Sequence, residues 1–91
     1  MPVHQLLVYP VAGGSDATPS YLENQGAAPL GRGGMNWFFG HYLASPQQRT
    51  DTRINLVAAN LRGLPPTTIV LAEIDPLRSE GMLLADRMSA A

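Results

Sequence analysis

Hydrophobic positions gather into two short runs near opposite ends of the chain. Gln5-Leu6-Leu7-Val8-Tyr9-Pro10-Val11 is almost continuously apolar, too short for a helix, and runs into Gly13-Gly14. Continuous rather than alternating hydrophobicity predicts a strand buried on both faces, the pattern of parallel sheets. Thr67-Thr68-Ile69-Val70-Leu71-Ala72, introduced by Leu64-Pro65-Pro66, repeats that pattern with β-branched residues that favour extended backbone. Between the runs, Met35, Phe38, Phe39, Tyr42 and Leu43 recur at helical spacing and predict a helix. Gly33-Gly34 precede it, and Ser45-Pro46 stop it because proline disfavours helical backbone in the residue before it.

Ser20-Tyr21-Leu22-Glu23 has the spacing of a capping box and predicts a short helical turn. The remainder of Ala12 to Gly34 reads as glycine-rich loop, and Asp51 to Leu64 as irregular chain with one turn near Leu56 to Asn60. A last helix opens at Asp75-Pro76, since proline suits a first helical turn. Leu77, Leu84, Ala85 and Met88 share one face, with Glu80 early and Arg87 late, as the helix dipole favours. The pattern is still running at Ala91. Strand, loop with helix, strand, helix is the order of an α/β fold with a parallel sheet and a right-handed crossover. Two strands with flanking helices make an incomplete sheet, so the expectation is a single segment, residues 1–91, of a larger α/β domain.

Composition narrows the function classes. A chain of 91 residues is one small domain at most, burying roughly two-thirds of its unfolded surface. Its hydrophobic content of 45% excludes disorder, and a charged content of only 14% is low for a free-standing small domain. Surfaces short of charge fit a segment that packs against other protein. A net charge of −1, with six scattered arginines and no lysine, offers no stripe for nucleic acid. The absence of cysteine removes disulfides, thiolate catalysis and cysteine-based zinc sites. The first residues lack a basic n-region, and no apolar run approaches the ~20 residues that cross a bilayer. A soluble cytoplasmic protein without cofactors is the expectation.

The chemistry-bearing stretch is Ala72-Glu73-Ile74-Asp75-Pro76-Leu77-Arg78-Ser79-Glu80-Gly81. A carboxylate beyond the carboxyl end of a buried strand lies where open α/β sheets place their ligand crevices. Pro76 forces a turn that would hold the Asp75 side chain in place, which suits an acid that orients an imidazole. Asp before Pro at a helix start equally fits plain N-capping.

Leu64-Pro65-Pro66, the strand, Ala72-Glu73-Ile74-Asp75-Pro76-Leu77-Arg78 and Gly81 together resemble the signature region of the hormone-sensitive-lipase-like esterases, the α/β hydrolase fold-3 carboxylesterases. Upstream, Gln5 to Val11, Ser20-Tyr21, Met35, Trp37-Phe38, Tyr42-Leu43 and Asp51-Thr52-Arg53 occur in that family's order, so the likeness spans Gln5 to Met88. It implies an α/β-hydrolase fold, small acyl esters as substrates, Asp75 as the acid of a Ser-His-Asp triad, and Leu30, Met35 and Phe38 as lining of the acyl pocket. Ordinary core packing explains Met35 and Phe38 equally well. Two features depart from the family pattern: Ser79 stands where many members have Asp, and Arg53-Ile54-Asn55-Leu56 lacks the usual Ser-Pro.

The rest of the family's machinery is absent from this sequence. None of Ser15, Ser20, Ser45, Ser79 and Ser89 sits in a Gly-x-Ser-x-Gly elbow, no His-Gly-Gly oxyanion loop occurs, and no histidine follows Asp75. The expectation is an acid-bearing fragment, inactive by itself. The rival expectation is a non-catalytic module that associates or forms homo-oligomers through exposed strand edges. Gly31-Arg32-Gly33-Gly34 lacks the lysine and preceding strand of a phosphate loop. His4, His41, Glu73 and Asp75 show no metal-ligand spacing. Trp37 and His41, four residues apart, face away from the main apolar stripe and either edge an active-site mouth or pack beneath a neighbour.

Overall fold

The computed structural model describes residues 2–28 and 30–91. Its order is β1 (Gln5–Val8), α1 (Pro19–Glu23), α2 (Arg32–Tyr42), two 3-10 turns (Pro46–Thr50 and Leu56–Ala58), β2 (Thr67–Val70) and α3 (Arg78–Ala90). β1 and β2 pair in parallel, with Gln5 opposite Thr67 and Val8 opposite Val70. Gln5 N–H to Pro66 O and Tyr9 N–H to Val70 O, both 2.9 Å, extend the ladder at each end.

Burial alternates along both strands rather than running continuous. Leu7 and Ile69 are half-buried, while Leu6, Val8 and Val70 stand exposed on the other face. The expectation of strands covered on both faces is therefore met on one face only, because the described residues supply no layer for the second. Ile69 shares a groove with Ala85 and Met88 of α3, so that helix backs the covered face.

The best-packed cluster lies beside the sheet rather than on it. Tyr21 of α1, Met35 and Phe39 of α2 and Leu77 at the entry to α3 are all buried together, with Leu30, Leu43 and Ile54 packed around them. α2 begins earlier than its apolar stripe suggests, at Arg32, so Gly33 and Gly34 lie inside the helix. Within that stripe Met35 and Phe39 are buried, whereas Phe38 and Tyr42 face outward. After Ser45-Pro46 the chain enters a 3-10 turn in which Gln48 Oε1 accepts from Ala44 N–H at 2.6 Å.

Two sharp features redirect the chain after β1. Tyr9 takes a left-handed φ of 49° immediately before Pro10, which turns the backbone out of the sheet. Gly14 lies directly against the backbone of Arg49, where a Cβ would collide with the Arg49 carbonyl. Arg49 secures that approach: its guanidinium lies 4.5 Å over the Phe39 ring and donates to Gly14 O at 3.4 Å and Asn36 Oδ1 at 3.0 Å. Asn36 and Arg32 in turn donate to Asp16 Oδ2 at 3.0 and 3.1 Å. Those bonds, the Asn36 one foremost, hold the Asp16 carboxyl below its ordinary pKa.

Candidate active-site segment

Asp75 lies five residues beyond the end of β2, in the turn that leads into α3, and is only 8% exposed. Its Oδ1 accepts from Leu77 N–H at 3.0 Å, and its carbonyl accepts from Arg78 N–H at 3.2 Å. The side chain thus closes a tight Asx turn, the local device by which aspartate holds its own backbone. Oδ2 accepts no hydrogen bond from the described residues. The helix does not open at Asp75-Pro76 and Asp75 is not its N-cap: α3 starts at Arg78 with Leu77 as N-cap, because the Asp75–Leu77 bond closes a separate turn first, which leaves the other Asp75 oxygen spare.

Two side chains from elsewhere in the sequence, Ser20 and Asn24, brace this turn. Ser20 Oγ donates to Pro76 O at 2.7 Å and accepts from Ser79 N–H at 2.9 Å. Ser79 Oγ returns the contact by accepting from Ser20 N–H at 3.0 Å, and Asn24 Nδ2 donates to Asp75 O at 3.4 Å. The departure at Ser79 is therefore put to use. The capping box read at Ser20 does not form; Thr18 is the N-cap of α1, Pro19 fills its first turn, and the Ser20 hydroxyl serves the distant turn instead. Arg78 adds a clasp, donating to Glu73 O and to Glu23.

A further tie comes from Glu80, only 2% exposed. Its Oε2 accepts from Ala12 N–H at 2.5 Å and Gly13 N–H at 2.8 Å, tying the exit of β1 to the first turn of α3. Burial pushes its carboxyl up to about 7; the two amide bonds work against that, and nearby Asp75 adds to it. Beside it, burial likewise raises the Tyr21 hydroxyl. From the sequence alone Glu80 is a dipole partner only. The readable signal was its slot: three residues after Leu77 and four before Leu84, it occupies the apolar stripe of α3.

The residues nominated as acyl-pocket lining divide. Met35 and Phe38 line one apolar cleft of about 320 Å³ with Val11, Phe39, Tyr42, Arg53 and Ile54. Met35 is at its floor, in the core, and Phe38, 55% exposed, forms its wall. Leu30 packs against the core cluster and does not line that cleft. Trp37 and His41 stack on each other at 4.1 Å between ring centroids, and both are exposed, so neither packs beneath a neighbour among the described residues. No cluster of three or more metal-ligating side chains occurs among the described residues, nor any helix long and apolar enough to cross a membrane.

A parallel strand pair followed by the Asp75 turn and α3 is an arrangement with counterparts in known proteins. A model of the alpha/beta hydrolase fold matches residues 1–91, the whole sequence. The chain belongs to the α/β-hydrolase family. Within it, the segment is 37% identical over 93 residues to carboxylesterase NlhH of Mycobacterium tuberculosis, covering 98% of this chain and 29% of that protein. Among solved structures it superposes on an esterase of the archaeon Pyrobaculum calidifontis with a TM-score of 0.91 and 33% identity, covering 97% of this chain and 30% of the other. A thermostable esterase of Pseudomonas putida gives 0.89 and 34% identity, at 96% and 28% coverage. This α/β-hydrolase chain accordingly spans under a third of the relatives it matches. The resemblance to hormone-sensitive-lipase-like esterases holds across its full length.

Proposed function

We propose that this chain is the acid-bearing segment of a serine carboxylesterase for small acyl esters, with Asp75 as the triad acid. The observation that carries the reading is the state of that carboxylate: sheltered beyond the carboxyl end of a parallel strand, anchored through Oδ1, with Oδ2 left to accept. In the complete enzyme a serine attacks the ester carbonyl while histidine takes and then returns its proton. Asp75 holds that histidine in its working tautomer and stabilises its cationic form. The cleft walled by Met35 and Phe38 takes the apolar acyl part of the substrate, and Leu30 supports it from the core side. An orienting carboxylate without nucleophile or oxyanion donors gives no useful acceleration, so the 91-residue chain is inactive alone.

A chimera tests this directly. Replacing the matching segment of the Pyrobaculum calidifontis esterase with this chain is expected to yield turnover of a short-chain aryl ester. D75N should lower its kcat by roughly 10³ to 10⁴ while leaving the fold intact. A folded chimera whose rate ignores D75N would remove the assignment.

One observation favours a second reading, a non-catalytic module that self-associates. Each strand of the two-stranded sheet has an unpaired edge among the described residues, next to an exposed apolar face. Sedimentation velocity decides it: a monomer at every concentration would sink that reading.

A further inference from the structure

Glu80 is an unusual occupant of its position. Helical spacing asks for an apolar residue there, and a carboxyl group shut from water is costly unless hydrogen-bonded. The chain supplies two donors from 68 and 67 residues away, Ala12 N–H and Gly13 N–H, both on Oε2. Oε1 is equally buried and has no partner among the described residues. Val57 N–H bonds Ala12 O at 3.1 Å, so the Ala12 peptide is gripped at both its amide and its carbonyl. The exit of β1 is thereby a fixed point, and Glu80 is what connects it to α3.

On the other side Glu80 lies five residues from Asp75, and the intervening turn is closed by the Asp75–Leu77 bond and braced by Ser20. Gly81 N–H bonds Leu77 O at 3.1 Å, which joins the residue after Glu80 to the residue that anchors Asp75. A shift of Glu80 therefore moves the Leu77 peptide, and with it the donor that fixes the Asp75 carboxylate.

We infer that Glu80 is a positioning residue for Asp75, setting the placement of the triad acid by clamping the Ala12 and Gly13 amides to the first turn of α3. The inference rests on the reading of Asp75 as that acid, and it deepens it. Glu80 acts through Leu77 and touches neither substrate nor the reacting atoms. The ionisable groups around it are Asp75 in the turn, Tyr21 of α1, and Arg49 and Asp86, which border the same open cavity as Glu80.

Carboxyl-carbon and amide NMR of the full chain tests it across roughly pH 4 to 9. The Glu80 side-chain signal is expected to titrate near 7. The Asp75 carboxyl signal and the Leu77 amide should each show an inflection at that same pH, and E80Q should abolish both. Hydrogen exchange at Ala12 and Gly13 should stay slow in E80Q, since the glutamine oxygen still accepts. Asp75 and Leu77 signals that stay silent while Glu80 titrates in the unaltered chain would overturn the inference without any variant. Because the measurement needs no catalysis, a coupled titration beside an inactive chimera would unseat only the esterase reading. A silent titration beside an active chimera would unseat only the role of Glu80.

Discussion

A carboxyl group closed away from water at Glu80 is pulled two ways, toward neutrality by desolvation and toward ionisation by two backbone amides. Desolvation wins, and the folded group titrates near 7 against 4.5 for an ordinary glutamate. The folded state thus holds a proton that the unfolded chain has already released. Stability from this group is complete below the unfolded value and is lost as pH rises through 7. The difference is worth about 3 kcal/mol in order of magnitude. Urea midpoints should fall between about pH 5 and 8, and E80Q should flatten that slope. At Asp75 the structural role is smaller: D75A removes the Asx bond to Leu77 and should cost ~1 kcal/mol by urea unfolding, whereas D75N, which keeps an acceptor oxygen, should cost less.

At the scale of elements, α2 separates packing from lining. Phe39 is buried with Tyr21, Met35 and Leu77 and carries the Arg49 guanidinium on its ring. Phe39→Ala should therefore cost about 3 to 5 kcal/mol, and Phe38→Ala at the cleft wall less than about 1 kcal/mol. Equal losses in thermal unfolding would contradict that division. Two glycines give a second contrast. A Cβ at Gly14 meets the backbone of Arg49, which cannot yield without displacing the turn, whereas at Gly81 it meets the Leu71 side chain, which can rotate. G14A should lower stability by at least about 2 kcal/mol and G81A by about 1 kcal/mol, read as shifts in Tm.

The same elements mark how far the sequence was legible. Both strands, the α2 stripe and the Asp75 turn follow from local patterns, because apolar runs, helical spacing and Asp-Pro each act over a few residues. The Ser20 hydroxyl misled a capping-box reading because its partners, Pro76 and Ser79, lie more than fifty residues away. Glu80 reads from the sequence only as a helix-dipole partner, because its contacts at Ala12 and Gly13 lie 68 and 67 residues away. Ser45-Pro46 signals only the end of α2 and not the 3-10 turn that follows at Pro46–Thr50. Contacts made across the fold leave no periodic trace.

For the whole molecule, the decisive quantity is uncovered apolar surface. Leu6, Val8, Tyr9 and Val70 sit on or beside the open sheet face, and Trp37, Phe38 and Tyr42 add an aromatic patch on α2. Apolar exposure on this scale marks surfaces that pack against other protein. The isolated chain should bind a hydrophobic dye and sediment heavier as concentration rises. L6K together with V8K should suppress both. An unaltered, dye-free monomer would show the face to be stable in water.

The pairing of β1 with β2 also fixes an order of events in time. Gln5 and Thr67 are 62 positions apart, and no strand between them offers β1 an earlier partner among the described residues. At ordinary translation speeds, roughly 3 to 12 s pass between the synthesis of one residue and the other. Throughout that interval on the ribosome, Leu6, Leu7 and Val8 have no β2 to pair with. Every bond of the β1–β2 ladder therefore forms only after the second strand has been translated.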